Sequence, residues 1–429
     1  MGFDREKFDE IKAAFTIDDD ALRKIADDFR ADMCAGLAGK EGATLRMLRS
    51  YAGLPSGKEH GSFLALDFGG TNVRALRILL KGGGEYEVLS RVAKPLTLPG
   101  VYDYVSADAT AEEMFDFLAA IIDEAIDGNR ETKYLLGHTF SFPSQQTNLN
   151  NAKLIVWTKE FATQGVEGKV VNDLLKEALA RRGMTNVIPV AVINDTVAVL
   201  LAAAYKHEHT YIGSIYATGQ NTCYYEEFAD GSEPPTVINM ESGGFGNLPF
   251  SKYDDILDRE SEQPGAQRLE KMVSGRYLGT LYGAALADLL GADGVYPFSS
   301  IELSEIITDA HLDRHAAGAV IEAKTGMTFT AAERALLQEL ATAIIVRSAR
   351  IVAATYVAII QHRMGENELE NQFVAVDGSV YEKVPLVSHH LRGALDTLLL
   401  DEAVNVKIIL ENAGSALGAA LAAAMTERK

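Results

Sequence analysis

The sequence predicts an α/β fold with two related domains that face each other across a cleft. Three observations support this prediction. The chain has 429 residues, which is more than one hydrophobic core usually supports. Short apolar runs alternate with turns and helical patterns, as in layered α/β domains. Finally, the chain carries two glycine-turn hairpins of the same plan, beginning near residues 63 and 211.

The first hairpin, residues 63–80, has the features of a phosphate-binding turn. An apolar run reaches Asp67, the turn Gly69–Gly70 follows, and a second apolar run completes the pair. Glycine lets a ligand approach the backbone closely. Thr71 and Asn72 add short hydrogen-bonding groups, and Asp67 is placed to orient a hydrated metal ion. Taken alone, these residues fit an ordinary glycine-rich hairpin equally well.

The second hairpin repeats this plan over residues 211–225. Ile212–Tyr216 predicts a strand, Ala217–Gly219 a turn, and Thr222–Glu226 the return strand. Two such hairpins in one chain are far more specific than one, and they suggest two related domains with a ligand between them.

Apolar spacing predicts the other elements in chain order. Between residues 18 and 37, Leu22, Ile25 and Phe29 recur at helical intervals after three aspartates. The remaining predicted helices cover residues 111–127, 197–205, 331–364 and 416–425, and the remaining predicted strands cover 77–80, 87–92, 190–193, 373–376 and 406–410.

The amino-acid composition limits which binding partners and which cellular compartment we expect for this protein. A net charge of −20 argues against nucleic acid and anionic membranes as partners. Two cysteines, Cys34 and Cys223, cannot form a disulfide framework. The first 20 residues are charged throughout, unlike a signal peptide, and we expect no apolar run of membrane-spanning length and no membrane anchor. These features predict a soluble, cytoplasmic protein.

A series of short motifs also runs in a fixed order through nearly the whole chain. The motifs are Met47–Tyr51, Pro55–Glu59, Asp67–Asn72, Phe140–Pro143, Trp157–Lys159, Asn194–Thr196, Ala217–Asn221, Asn239–Glu241, Pro264–Gly265, Glu270–Met272, Asp377–Tyr381 and Gly414–Ser415. In this order they resemble the hexokinase family (hexokinase/glucokinase type) of the actin-like ATPase, sugar kinase superfamily.

The resemblance implies both architecture and reaction. It implies two actin-like ATPase (ribonuclease H-like) domains flanking a deep cleft, with residues 1–60 and 194–413 in the large domain and 61–193 and 414–429 in the small one. The implied activity is ATP-dependent phosphorylation of a hexose, glucose first, at the 6-hydroxyl for glycolysis, by a monomer or homodimer. The alternative is a non-catalytic hexose sensor or regulator that keeps the fold.

The resemblance also implies a hexose pocket of short polar side chains and carboxylates, which suit a ligand rich in hydroxyls. Asp195 is the candidate general base, because it follows a strand at its carboxyl end. Lys159 is a candidate electrophile towards the phosphate. The implied pocket consists of Ser141, Thr158, Lys159, Asn194, Asp195, Asn221, Glu241 and Glu270.

Each pocket residue also has a structural alternative. Asp195 is compatible with a helix N-cap, the commonest role of Asp at such a position. Glu241 is compatible with a turn residue, Glu270 with a solvated helix face, and Lys159 with a surface ion pair of little energetic value. Only their joint spacing favours the pocket.

The resemblance assigns the nucleotide to both hairpins and to a third glycine turn beside the ribose and α-phosphate. Mg²⁺ is expected, held mainly by phosphate oxygens and water near Asp67, without a dedicated protein cage. Gly414–Ser415 is compatible with a hinge, an anion-binding helix end or a plain helix start. The implied nucleotide residues are Asp67, Gly69, Gly70, Thr71, Asn72, Arg74, Thr218, Gly219, Ser300, Ser304, Asp377, Gly378 and Ser379.

Three departures from the family pattern bear on affinity and substrate choice. Ala217 replaces a usual glycine and is expected to crowd the phosphate or restrict φ. Ser242 replaces a usual tryptophan beside Glu241, which is expected to loosen the sugar pocket. Ala416–Leu417 replaces a glycine followed by a basic residue, so one phosphate contact is missing.

Overall fold

Two large β-sheets, each covered by helices, form the centre of the fold in a computed structural model that describes residues 4–158, 161–228, 231, 233–365, 367–412 and 414–428. Strands β1–β15 are Leu48–Arg49, His60–Phe68, Asn72–Gly82, Glu85–Pro95, Thr97–Leu98, Tyr102–Asp103, Tyr134–Phe140, Ser144–Gln145, Lys153–Leu154, Val187–Ile193, Thr210–Tyr216, Gln220–Glu226, Thr236–Asn239, Gln372–Asp377 and Val406–Leu410. Helices α1–α14 are Arg5–Ala13, Asp19–Leu37, Ala111–Ala125, Val171–Arg181, Asp195–Lys206, Lys252–Glu260, Arg268–Val273, Gly275–Leu290, Ser300–Thr308, His315–Thr325, Ala331–Met364, Ser379–Lys383, Val387–Leu399 and Gly414–Met425.

The two sheets share one plan. The first has the strand order β10-β7-β2-β3-β4 and the second β1-β13-β12-β11-β14-β15. In the first, β10, β7 and β2 run parallel, and in the second β11, β14 and β15 do. The loops that follow parallel strands meet at one sheet edge, which is where α/β folds bind ligands.

Some predicted bounds match the structure and others do not, and several helices, among them α8 and α13, were not predicted. Helix α11 has both predicted bounds, whereas α5 begins at Asp195 rather than at residue 197. The strand pairs β5–β6 and β8–β9 were not predicted. A strand of two residues is too short to show an alternation of apolar and polar side chains.

Helix α11 corrects one expectation. By length and composition it is apolar enough to cross a membrane, and 83% of its most apolar window is buried inside the protein. The expectation that no apolar run reaches membrane-spanning length is therefore wrong. Burial in the core explains why this part of the helix is largely apolar.

Helices α5 and α14 pack closely against each other. A Cβ added at Gly418 would lie 2.3 Å from the Ala198 carbonyl oxygen, and one added at Gly414 would lie 2.8 Å from Val199 Cα. Helix α14 also contacts β2 and β7, where Thr139 Oγ1 donates to the Ser415 carbonyl at 2.7 Å. The C-terminal helix thus returns to the first sheet, and the exact domain bounds stay a prediction.

His138 makes the first sheet sensitive to acid. It lies on β7, fully buried, with its ring stacked on Phe68 at a centroid distance of 6.3 Å. Burial lowers the pKa of this imidazole from 6.5 to about 4, and the adjacent Asn172 amide only partly offsets that effect. The fold therefore holds a neutral histidine.

We expect folding stability to fall as the pH drops from 6.5 to about 4, where the unfolded chain binds this proton and the folded chain does not. A pKa shift of this size corresponds to a loss of about 3 kcal/mol in the free energy of unfolding. The measurement is the decrease in melting temperature between pH 7.5 and pH 5. This decrease should be smaller in His138→Asn than in wild type. His389→Asn, at an exposed histidine, should keep the full loss; equal losses in both variants would contradict the assignment.

Candidate active site

Several of the predicted site residues lie where the parallel strands of the two sheets end. In the first sheet, Asp67 and Ile193 are both in register with Thr139, so the residues that follow β2, β7 and β10 reach one edge. In the second sheet, Ile215 is in register with Asp377, and β15 ends beside β14. Both glycine hairpins and the third glycine turn therefore lie at strand ends.

The carboxylates at these strand ends influence one another electrostatically. Burial, together with the negative charges of Glu411, Asp195, Glu382 and Asp67, raises the pKa of Asp377 to about 6. Asp67 belongs to the first sheet and Asp377 to the second, and Asp195 lies at the start of the helix that links them. The structure therefore brings three of the predicted carboxylates into one shared field.

Asp195 is not the helix cap that one alternative assigned to it. Asn194 is the N-cap of α5, and its Oδ1 accepts from the Thr196 backbone N–H at 2.9 Å and from Thr196 Oγ1 at 2.7 Å. Asp195 is the first helical residue, half-buried, and its Oδ1 also accepts from the Thr196 N–H at 2.9 Å. One carboxylate oxygen is thus oriented, while the cap role belongs to its neighbour.

A chain of amide hydrogen bonds orients Glu241. Asn221 Nδ2 donates to Asn239 Oδ1 at 2.9 Å, and Asn239 Nδ2 donates to Glu241 Oε1 at 2.8 Å. Glu241 has φ 53° and ψ 49°, a left-handed conformation that is uncommon for a residue other than glycine. Such conformations occur at functional positions and also in plain turns, so the sugar-binding role of Glu241 stays a prediction.

Glu270 is held against the second hairpin. Its Oε2 accepts from the Gln220 backbone N–H at 2.9 Å, and a Cβ added at Gly219 would lie 2.8 Å from that oxygen. Gly219 therefore leaves room for Glu270. The next residue, Lys271, is buried and bonds Asp258 at 2.6 Å. The interpretation of this segment as a solvated helix face is wrong.

The first sheet contributes Ser141 and Thr158 near an aromatic cluster. Ser141 follows β7 and is 8% exposed, while Thr158 is half-buried. Between them, Phe142 and Trp157 pack edge to face at 4.7 Å and support both loops. Lys159 lies outside the described residues, so its assigned role stays a prediction.

The first hairpin presents its polar turn to solvent. Thr71 and Asn72 are exposed, and Arg74 Nη1 pairs with Asp67 Oδ2 at 3.1 Å. A Cβ added at Gly69 would meet only the Asn72 carbonyl, at an ordinary 3.5 Å. The protein therefore leaves open space beside Gly69, which is compatible with the predicted close approach of a ligand.

Other residues of the predicted nucleotide site lie near the second hairpin. Gly378 has φ 136°, and a Cβ there would lie 2.3 Å from the Tyr216 carbonyl, so only glycine fits. Helix α8 begins with Gly275, whose N–H donates to the Ala217 carbonyl at 2.8 Å. One turn later α8 packs on the segment that leads into α9, which carries Ser300 and Ser304.

The three departures have structural explanations. Ala217 needs no positive φ, so its Cβ does not restrict the turn. Ser242 is fully buried and donates to Gln220 Oε1 at 3.1 Å, away from solvent. Leu417 is 1% exposed within the cluster around α5 and α14, where a basic side chain would lack solvation.

Asn239 and Gln220 were not among the predicted site residues. Asn239 ends β13, and Glu241 lies two residues further on in a left-handed turn. Because strand alternation does not extend through that turn, periodicity gave no signal for the contact between the two side chains. The Gln220 contribution comes from its backbone N–H, which side-chain patterns do not reveal.

A cleft between two sheets of the same plan, with a glycine hairpin on each side and strand-end carboxylates between them, defines a phosphotransferase of the actin-like ATPase class. Two family models, both described as hexokinase, match residues 7–205 and 211–425. The chain belongs to the hexokinase family. It is an enzyme that phosphorylates a hexose with ATP, and the alternative of a non-catalytic sensor has no support.

Individual relatives agree over nearly the whole chain. Hexokinase-1 of Schizosaccharomyces pombe is 32% identical over 98% of this chain and 91% of its own. The chloroplastic hexokinase-2 of Nicotiana tabacum is 34% identical over 95% of this chain and 87% of its own. The solved hexokinase of Schistosoma mansoni, complexed with glucose, is 30% identical with a TM-score of 0.83 over 98% of both chains.

Proposed function

We propose that this hexokinase phosphorylates glucose at its 6-hydroxyl, with Asp195 as general base and with Ser141, Thr158, Asn194, Asn221, Glu241 and Glu270 around the sugar. The observation that carries this proposal is the position of Asp195. It lies at the carboxyl end of β10, in the shared field of Asp67 and Asp377, and Asn194 performs the capping role.

The reaction needs the 6-hydroxyl to lose its proton as the γ-phosphoryl group arrives. A carboxylate held by the Thr196 N–H keeps a second oxygen for that proton. Most of the rate enhancement in phosphoryl transfer comes from positioning and charge stabilisation. The backbone of the two glycine hairpins supports that role, because N–H groups there can approach phosphate oxygens closely.

We propose Mg²⁺ as the second cofactor beside ATP. Among the described residues, no group of three or more His, Cys, Asp or Glu side chains is arranged to hold a metal ion. Mg²⁺ commonly uses one or two carboxylates plus phosphate oxygens and water, and Asp67 and Asp377 fit that smaller role. When bound, the ion would neutralise phosphate charge in a field that is otherwise strongly negative.

A coupled assay with ATP and Mg²⁺ across glucose, mannose, fructose and galactose tests the proposal. We expect the highest kcat/KM for glucose, with the phosphate on the 6-oxygen of the product. A phosphate on another oxygen, or a clear preference for a different hexose, would overturn the substrate assignment.

We further propose that the protein is cytoplasmic and is a monomer or homodimer. Its two cysteines, Cys34 and Cys223, are unpaired, as expected in a reducing compartment.

We expect glucose to close the cleft. Ser141 and Thr158 lie with the first sheet, and Asn221 and Glu241 with the second, so a sugar bound by both favours the closed state. Closure would also exclude water as a competing acceptor. Small-angle scattering should show a smaller radius of gyration with saturating glucose than with the non-hexose control glycerol. An unchanged radius in protein shown to bind glucose would contradict closure.

A further inference from the structure

Away from the cleft, a thiol, an imidazole and a carboxylate lie in line on three different elements. Cys34 is exposed near the end of α2, and its Sγ lies 3.8 Å from His362 Nδ1 near the end of α11. On the other side of the ring, His362 Nε2 lies 2.7 Å from Glu226 Oε2 at the end of β12. None of these residues belongs to the sugar or nucleotide site.

The carboxylate sets the tautomer of the histidine. Glu226 is 11% exposed and His362 14%, and Tyr224 also donates its hydroxyl to the same carboxylate. Burial alone would raise the pKa of Glu226, but the hydrogen bonds from His362 and Tyr224 outweigh it and lower that pKa. An ionised Glu226 can only accept, so the Nε2 nitrogen carries the hydrogen and Nδ1 presents its lone pair to the thiol.

We propose that Cys34, His362 and Glu226 form a reactive-thiol site that undergoes exchange with small-molecule disulfides. His362 Nδ1 takes the proton of the Cys34 thiol, and Glu226 stabilises the imidazolium that results. The Cys34 sulfur then attacks one sulfur of the disulfide, the S–S bond of the reagent breaks, and a new S–S bond to Cys34 forms. The proton on His362 passes to the leaving thiolate, or to solvent where the leaving thiolate stays ionised as with an aromatic disulfide, so atoms and electrons balance.

The second cysteine provides an internal control. Cys223 is fully buried on β12, and burial raises the pKa of its thiol, so it should not react in the folded protein. Other ionisable groups beside the site are Arg363, Glu227 and Tyr211, and the Arg363 guanidinium lies over the Tyr211 ring at 3.8 Å. The charges and dipoles of these neighbours therefore act on the site together with those of Cys34, His362 and Glu226.

The probe is dithiobis(nitrobenzoate), with oxidised glutathione and mass spectrometry as the second reagent. At pH 7, the folded protein should release one equivalent of coloured thiolate rapidly and a second one only after unfolding, since it has two free cysteines. His362→Gln should slow the rapid phase at least about tenfold, because most of an unassisted thiol is protonated at that pH. Cys34→Ser should abolish the rapid phase and leave hexose phosphorylation unchanged.

Two further variants test the role of Glu226 and provide a control for histidine replacement. Glu226→Gln retains the imidazole and should also slow the rapid phase, by a smaller factor, which tests the positioning role even if His362→Gln folds poorly. His389→Gln, at an exposed histidine on α13, should leave the rate unchanged. A rapid phase that persists in Cys34→Ser, or equal rates in wild type, His362→Gln and Glu226→Gln, would overturn the proposal.

Discussion

Replacing Asp195 by alanine is expected to lower kcat by about 10²–10⁴, the usual contribution of a positioned base. The variant should stay folded, because Asn194 caps α5 and a first-turn acid contributes only about 0.3–1 kcal/mol. Glucose affinity should fall much less, since side chains from both sheets still surround the ring. Measuring kcat, glucose Kd and melting temperature on one preparation separates these effects.

The matched control is Asp173→Ala, which removes an exposed acid from the first turn of α4, away from the cleft. It should reproduce any small loss of melting temperature without the loss of kcat. Near-native turnover in Asp195→Ala would exclude Asp195 as the base and return it to a purely structural role at the start of α5.

Glu241→Gln and Glu270→Gln should chiefly weaken hexose binding. Each change removes an ionised acceptor, and hydrogen bonds to charged groups are worth about 1.5–3 kcal/mol. The Kd for glucose should therefore rise by about 10- to 150-fold in each variant. Any ATP hydrolysis in the absence of hexose should change little, since glutamine at 270 keeps a side-chain oxygen that can accept from the Gln220 N–H of the second hairpin.

Glu260→Gln provides the comparison, because Glu260 is an exposed carboxylate at the end of α6. It should bind glucose like wild type. Isothermal titration with glucose in the absence of ATP gives the Kd directly. Normal glucose affinity in both Glu241→Gln and Glu270→Gln would show that the carboxylates hold the local loops rather than the sugar.

The sequence alone predicted several features of the site. The two glycine hairpins, the strand before Asp195 and the helix Ala331–Met364 all follow from local periodicity and turn composition. The ordered motifs predicted the hexokinase family, which the comparisons confirm. Local patterns suffice for these features because strands, turns and long helices are encoded by neighbouring residues.

What the sequence alone determined was thus the α/β class, the family and the reaction. The tertiary structure decided the individual roles: Asn194 rather than Asp195 caps α5, Asn239 orients Glu241, and Asp377 acquires its raised pKa. Each of these outcomes depends on geometry that periodicity does not encode, either the dihedral angles of a single turn or the approach of groups on different strands and sheets. Only when the two sheets are packed do carboxylates more than a hundred residues apart in the sequence share one electrostatic field, because Coulomb energy depends on distance in space rather than along the chain.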